Sequence, residues 1–291
     1  MGTVLIDTPS LSDVSCNGAR REAFVERLNV DGHRLVLSIH VLEELICGNR
    51  PGSIAARANG VGKLIDRMGP DQLITGQPFH VVVQREVSAD LTEPPGLARE
   101  DRRAIARFLN RADPKAADFL QLSRECNQAL KAKQRAFDTD KKVAGFLAGK
   151  KLLGTSTQVR ELEAHMAEFS QPAKEFGWFL TDLLQHCDVR GENLDILEVT
   201  DARSRLSCLR IHLCLAQLTM HGAALAGRSQ AAVARLFKPN ENNWYDNAII
   251  AVSAHCDLVV SDDIDLIGKV NFLNQRGIAV FRGMHLNAFL S

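Results

Sequence analysis

Residues Asn247 to Phe281 read NAIIAVSAHCDLVVSDDIDLIGKVNFLNQRGIAVF, and the alternation inside this stretch decides the fold class. Asn247 to His255 is apolar-rich and predicts a helix. Leu258-Val259-Val260 is a short apolar run that ends in the polar Ser261-Asp262-Asp263, the pattern of a buried strand. Leu266 to Asn274 again predicts a helix, closed by Gly277, and Ile278-Ala279-Val280-Phe281 predicts a final strand. Strands alternating with helices imply a parallel sheet with helices on both faces.

The first fifty residues repeat the pattern. Val4-Leu5-Ile6 predicts a strand ending at Asp7, Arg20 to Leu28 a helix, Asp31-Gly32 a turn, and Leu35-Val36-Leu37 a second strand. Ser38 is placed to cap a helix through Val41, Leu42 and Leu45 that stops at Gly48. The middle differs. Ile105, Phe108 and Leu109, and later Leu206, Leu209 and Leu213, step by three and four, with Thr200 as a candidate N-cap and Gly222 near the helix end. Phe79 to Val83 reads as an extra strand. The expected fold is therefore a three-layer α/β/α core around a central parallel sheet, discontinuous over 1–96 and 236–291, with a mostly helical insertion over 97–235.

With 45% hydrophobic and 24% charged residues, the composition is that of an ordinary globular protein. The formal net charge is zero, so any surface for an anionic partner must be local. Seven cysteines at irregular spacing and no CxxC pair read as reduced thiols, which sets the expectation of a cytoplasmic protein without a structural zinc. The start, MGTVLIDTPS, lacks the basic-then-apolar pattern of a signal peptide and no apolar run reaches bilayer length, so no membrane association is expected.

The acids carry the chemistry. Asp7 ends the first strand, and Asp263 lies just beyond a later one. In an open parallel sheet, ligands bind outside the carboxyl ends of the strands. Glu44 sits on the helix after the second strand, and Asp246 opens the helix before the strand that leads to Asp263. Taken singly, each Asp is a cap or turn residue. Together the four carboxylates repel one another unless a cation lies between them, and hard oxygen donors suit Mg²⁺ or Mn²⁺. From Glu241 to Gly268 the chain has six acids and neither Lys nor Arg.

These residues resemble the PIN-domain nucleases. Val4-Leu5-Ile6-Asp7-Thr8 looks like the family's opening strand and first acid. Ser38-Ile39-His40-Val41-Leu42-Glu43-Glu44-Leu45 is similar to its second motif, a serine followed six positions later by glutamate, which favours Glu44 over Glu43. Asp246-Asn247-Ala248-Ile249-Ile250-Ala251 resembles the third motif, and Leu258 to Leu266 the fourth. The resemblance covers roughly the first and last fifty residues. It implies Asp7, Glu44, Asp246 and Asp263 as catalytic metal ligands for Mg²⁺ or Mn²⁺, Ser261 as an orienting group and Asp265 as a second-tier acid. It implies an endoribonuclease, with a toxin, RNA-processing or defence role. The implied partners are an RNA substrate and an antitoxin or other protein partner, and a homo-oligomer is compatible. The family often places Asn two positions after the first Asp, where this chain has Pro9.

Two other readings stay open. One is a non-catalytic PIN-like module that binds RNA or protein. The other is a haloacid-dehalogenase-type phosphatase, which expects an Asp where Pro9 stands. Arg99 to Glu163 is locally basic, and Lys141, Lys142, Lys150 and Lys151 are candidate phosphate contacts, against the plainer reading of a solvated helix face. Trp244, beside Asp246, is a candidate for stacking on a base or for plugging the core. Cys208, His212 and Cys214 read as a buried helix face.

Overall fold

The computed structural model describes residues 2–69, 71–88, 99–136, 154–189, 194–201, 204–240 and 243–291. Its centre is a five-stranded, all-parallel sheet: β1 (Thr3–Ile6), β2 (Arg34–Ser38), β3 (Leu73–Gly76), β4 (Leu258–Ser261) and β5 (Arg282–His285). The spatial order is β3-β2-β1-β4-β5. Leu5 lies beside Val36 on one side and Val259 on the other. The three central strands, β1, β2 and β4, each bury a run of three apolar residues between the two helical layers.

Chain order and spatial order together define where the sheet's strand order reverses direction. From β1 the chain steps outward to β2 and β3, then returns to β4 and β5 on the opposite side of β1. The first leg carries α1 (Thr8–Cys16), α2 (Gly18–Val30), α3 (Ile39–Leu45) and α4 (Pro51–Arg67). The return leg carries α5 (Phe79–Ser88), α6 (Arg99–Asn110), α7 (Ala117–Ala136), α8 (Ser156–Ala167), α9 (Gly177–His186), α10 (Ile196–Thr200), α11 (Ser207–Ala224), α12 (Ala232–Leu236) and α13 (Asn243–Val252). After β4 come α14 (Ile264–Gln275) and, past β5, α15 (Leu286–Leu290). Right-handed crossovers put the two directions of travel on opposite faces. The contacts agree: α1, α2 and α4 pack together, and α5, α11 and α13 pack together. This is an α/β fold consistent with three layers. Its switch point lies between β1 and β4, where neighbouring strand ends diverge and leave a crevice.

Residues from the 97–235 span pack on the sheet's helices. In the described part, α6 lies against α4, α7 against α3, and α11 against α13 and α5. One hydrophobic cluster joins Val4, Leu37 and Val260 with Phe119, Met166 and Leu213. Among the described residues, no helix is long and apolar enough to cross a membrane.

Three expectations about elements are corrected. Phe79 to Val83 is not a strand but the start of α5. Phe79, Val82, Val83, Glu86 and Val87 are buried at helical spacing, so the apolar run covers one helix face. The last strand is Arg282–His285, not Ile278 to Phe281. The backbone there serves the end of α14: Gly277 takes a left-handed φ of 68°, and the Ile278 and Ala279 amides donate to the Leu273 carbonyl at 3.0 and 3.3 Å. Asn274 Nδ2 adds bonds to the carbonyls of Ala279, Val280 and Phe281. Thr200 closes α10, and α11 begins at Ser207 with Leu206 at its N-cap position. The fully buried Glu86 carboxylate takes over the capping, accepting from the Cys208 amide at 2.7 Å and the Leu209 amide at 3.1 Å.

Candidate functional site

The edge at the strand ends is set up by helix starts. Asp7 follows β1 directly and caps α1, its Oδ1 accepting from the Ser10 amide at 3.0 Å. Pro9, in the first turn of α1, has no amide proton to lose there. Asp263 caps α14 in the same way, Oδ1 accepting from the Asp265 and Leu266 amides at 2.8 and 3.1 Å. The plain role of these acids, capping, is therefore real. Ser261 then ties them together. This fully buried side chain, the last of β4, donates its hydroxyl proton to Asp7 Oδ2 and accepts from the Asp263 amide at 2.8 Å. Asp265 is exposed in the first turn of α14.

Glu44 arrives from α3, where Ser38 caps the helix as expected. Its Oε2 accepts from the Thr8 hydroxyl at 2.5 Å, which turns it toward Asp7. The neighbouring Glu43 lies 3.7 Å from His40 Nδ1 instead. Asp246 sits in the first turn of α13. A helix that feeds a parallel strand starts at the edge where the strands end, so Asp246 comes to the same edge. Its Oδ2 accepts from Lys269 Nζ at 3.1 Å, and Lys269 is only 1% exposed.

The electrostatics report the convergence. Burial raises Asp7, Glu44 and Asp246 above the usual carboxylate range. Negative neighbours add to this: Asp263 on Asp7, Asp246 and Asp7 on Glu44, and Asp263 and Asp265 on Asp246. Hydrogen bonds from Ser10 and Ser261, from Thr8, and the Lys269 ammonium work the other way. Four acids from four separate segments thus feel one another's charge. Among the described residues, however, no three of His, Cys, Asp and Glu stand close enough to hold a metal ion as placed. The donor set fits a hard divalent cation in chemistry; each acid is meanwhile held by its own serine, threonine, amide or lysine.

Thr8, Ser10 and Lys269 escaped the sequence reading. Lys269 carried a usable signal: it lies three residues after Leu266 and one before Val270, on the buried stripe of α14, where an unpaired cation would be costly. Arg57 of α4 is a further case, since its positive charge eases the ionisation of Glu44. Lys141, Lys142, Lys150 and Lys151 lie outside the described residues, as does the side chain of Trp244. Cys208, His212 and Cys214 are buried on α11 as expected. The His212 ring lies 4.5 Å from that of Phe79 and stacks on Phe179, and burial lowers its pKa to about 3. Searches of protein-family models, curated proteins and solved structures gave no match to this chain.

Proposed function

We propose that the chain is a PIN-like, metal-dependent endoribonuclease whose site is the crevice between the ends of β1 and β4. One observation carries this reading: Asp7, Glu44, Asp246 and Asp263 share an electrostatic neighbourhood at the switch point of an all-parallel sheet. Carboxylates drawn together at a partly buried edge favour a cation between them. Asp7, Glu44, Asp246 and Asp263 would hold Mg²⁺ or Mn²⁺, which would lower the pKa of a bound water and neutralise charge on the phosphate.

The chain's own residues prepare this. Ser261 fixes the rotamer of Asp7 and the approach of Asp263. Thr8 aims Glu44 toward Asp7. Lys269 orients Asp246 and opposes the upward pull of burial on its carboxyl. An RNA phosphodiester is the substrate proposed for this arrangement.

Incubation of labelled single-stranded RNA with Mn²⁺ or with EDTA tests the reading, with a phosphate monoester in parallel. EDTA-sensitive RNA cleavage that Asp7→Asn abolishes is expected. Full activity in Asp7→Asn, or hydrolysis of the monoester alone, would overturn it. RNA binding without turnover would favour a non-catalytic module, in which the acids serve only as the caps and ion pairs described above.

A further inference from the structure

Beside Glu44 lies a cavity of about 550 Å³, lined among others by Thr8, Glu44, Gly48, Arg57, Asn127 and Lys131. Its walls have two origins. Thr8, Glu44, Gly48 and Arg57 belong to α1, α3, α4 and the turn between the last two; Asn127 and Lys131 belong to α7, in the helical span between β3 and β4. The two walls are stitched together. The Gly48 amide donates to Asn127 Oδ1 at 3.0 Å, and Asn127 Nδ2 donates back to the Gly48 carbonyl at 3.1 Å. Ser123, one turn earlier on α7, donates to the Ile46 carbonyl at 2.9 Å. The outer wall is therefore held in register with the acidic crevice.

The charge in this cavity is divided. Glu44 belongs to the acidic crevice. Arg57 and Lys131 bring two cations to the lining. Arg57 Nη2 donates to the Cys47 carbonyl at 3.0 Å, which fixes the guanidinium. A fixed guanidinium beside an exposed ammonium suits a phosphodiester, which offers negative charge and paired oxygens. The volume is that of a small-molecule site, enough for a nucleotide out of its stack and too small for a duplex.

We propose that this cavity is the phosphate subsite for single-stranded RNA next to the cleaving acids, with Arg57 and Lys131 holding the backbone and α7 as its outer wall. The proposal rests on the nuclease reading, and it gives the helical span a role in substrate positioning.

The test is binding of a labelled single-stranded RNA to the full chain in EDTA, by fluorescence anisotropy across a salt series, where no cleavage competes. Lys131→Gln changes an exposed side chain and leaves the fold alone; Arg57→Gln is read alongside its thermal melt. Each is expected to weaken binding about threefold to tenfold and to flatten the salt slope by about 0.7, the value of one lost phosphate contact on a single strand. Unchanged affinity and slope in a folded double variant, or equal binding of double-stranded RNA, would overturn the subsite, as would a wild-type chain that binds no RNA. The two proposals fail separately. A wild type that binds through Arg57 and Lys131 but never cleaves retires the nuclease and keeps the subsite. Cleavage and binding untouched in the double variant do the reverse.

Discussion

Lys269→Met is the sharpest test of how the acidic crevice is held together. Lys269 Nζ lies 3.1 Å from Asp246 Oδ2, with the lysine side chain 2% and the aspartate 15% exposed. At that distance, and at an effective dielectric of about 20, the gross attraction is about 5 kcal/mol. Desolvation of both ions offsets much of it, so the pair itself is close to neutral. Removing one partner is different, because a buried carboxylate is left among Asp263 and Asp265 with no cation. Such one-sided removals cost about 3–5 kcal/mol, a large share of a typical domain's stability. Methionine keeps most of the packing of the lysine stem, so the loss measures charge. Urea denaturation followed by circular dichroism at neutral pH should show it. The pH dependence follows from the shift. Asp246 is already raised in the folded chain and rises further without Lys269, so the folded variant binds its proton more readily than the unfolded chain does. The deficit is therefore full above the variant's folded value and shrinks as pH falls through it. Adding Asp246→Asn should recover part of the loss, since no bare carboxylate remains. A single variant within about 0.5 kcal/mol of wild type at neutral pH would refute the argument, as would a double variant no more stable than the single.

Other outcomes follow from the same contacts. Glu86→Ala strips the α11 amides of Cys208 and Leu209 and the His255 ring of their shared carboxylate, and should cost about 4 kcal/mol or more by chemical denaturation; a loss below about 1 kcal/mol would mean the cap is dispensable. Gly222→Ala places a Cβ 2.4 Å from the Phe237 carbonyl oxygen, so it should destabilise by about 1–3 kcal/mol, whereas a plain helix position would gain from alanine. Asp7→Asn removes a carboxyl that burial raises, so thermal melts above its folded pKa should show stability kept or increased even as cleavage is lost. Mn²⁺ or Mg²⁺ should raise the wild-type melting temperature, by about 2.7 kcal/mol of stability at a hundredfold excess over Kd, and EDTA should reverse it. That rise should be small in Asp7→Asn; an equal rise in both would place the cation elsewhere.

Much of the edge was readable along the chain. Val4 to Ile6 and Leu258 to Val260 are apolar runs bounded by turn and polar residues, and each ends in a polar residue where the strand leaves the core. Ser38 announces its helix by chemistry that is local. The choice of Glu44 over Glu43 also agrees with the contacts, since Thr8 draws Glu44 to Asp7 while Glu43 faces His40. The element errors have a common origin. Phe79 to Val83 and Ile278 to Phe281 are both short apolar runs, and such runs fit a strand, a helix face or a packed turn equally well. What separated them was a partner elsewhere: α11 and α13 beside α5, and the Asn274 side chain beneath the 278–281 turn.

Sequence by itself determined the α/β class of the fold and put forward the four acids as candidates, because burial pattern and strand-end position are encoded within a few residues of one another. Tertiary structure decided how those acids are balanced. Ser261 reaches Asp7 across 254 positions, Thr8 reaches Glu44 across 36, and Lys269 reaches Asp246 across 23. Charge acts through space, at ångström distances and in a low dielectric, so the partners that tune a carboxylate are set by the packing of the chain and not by its order.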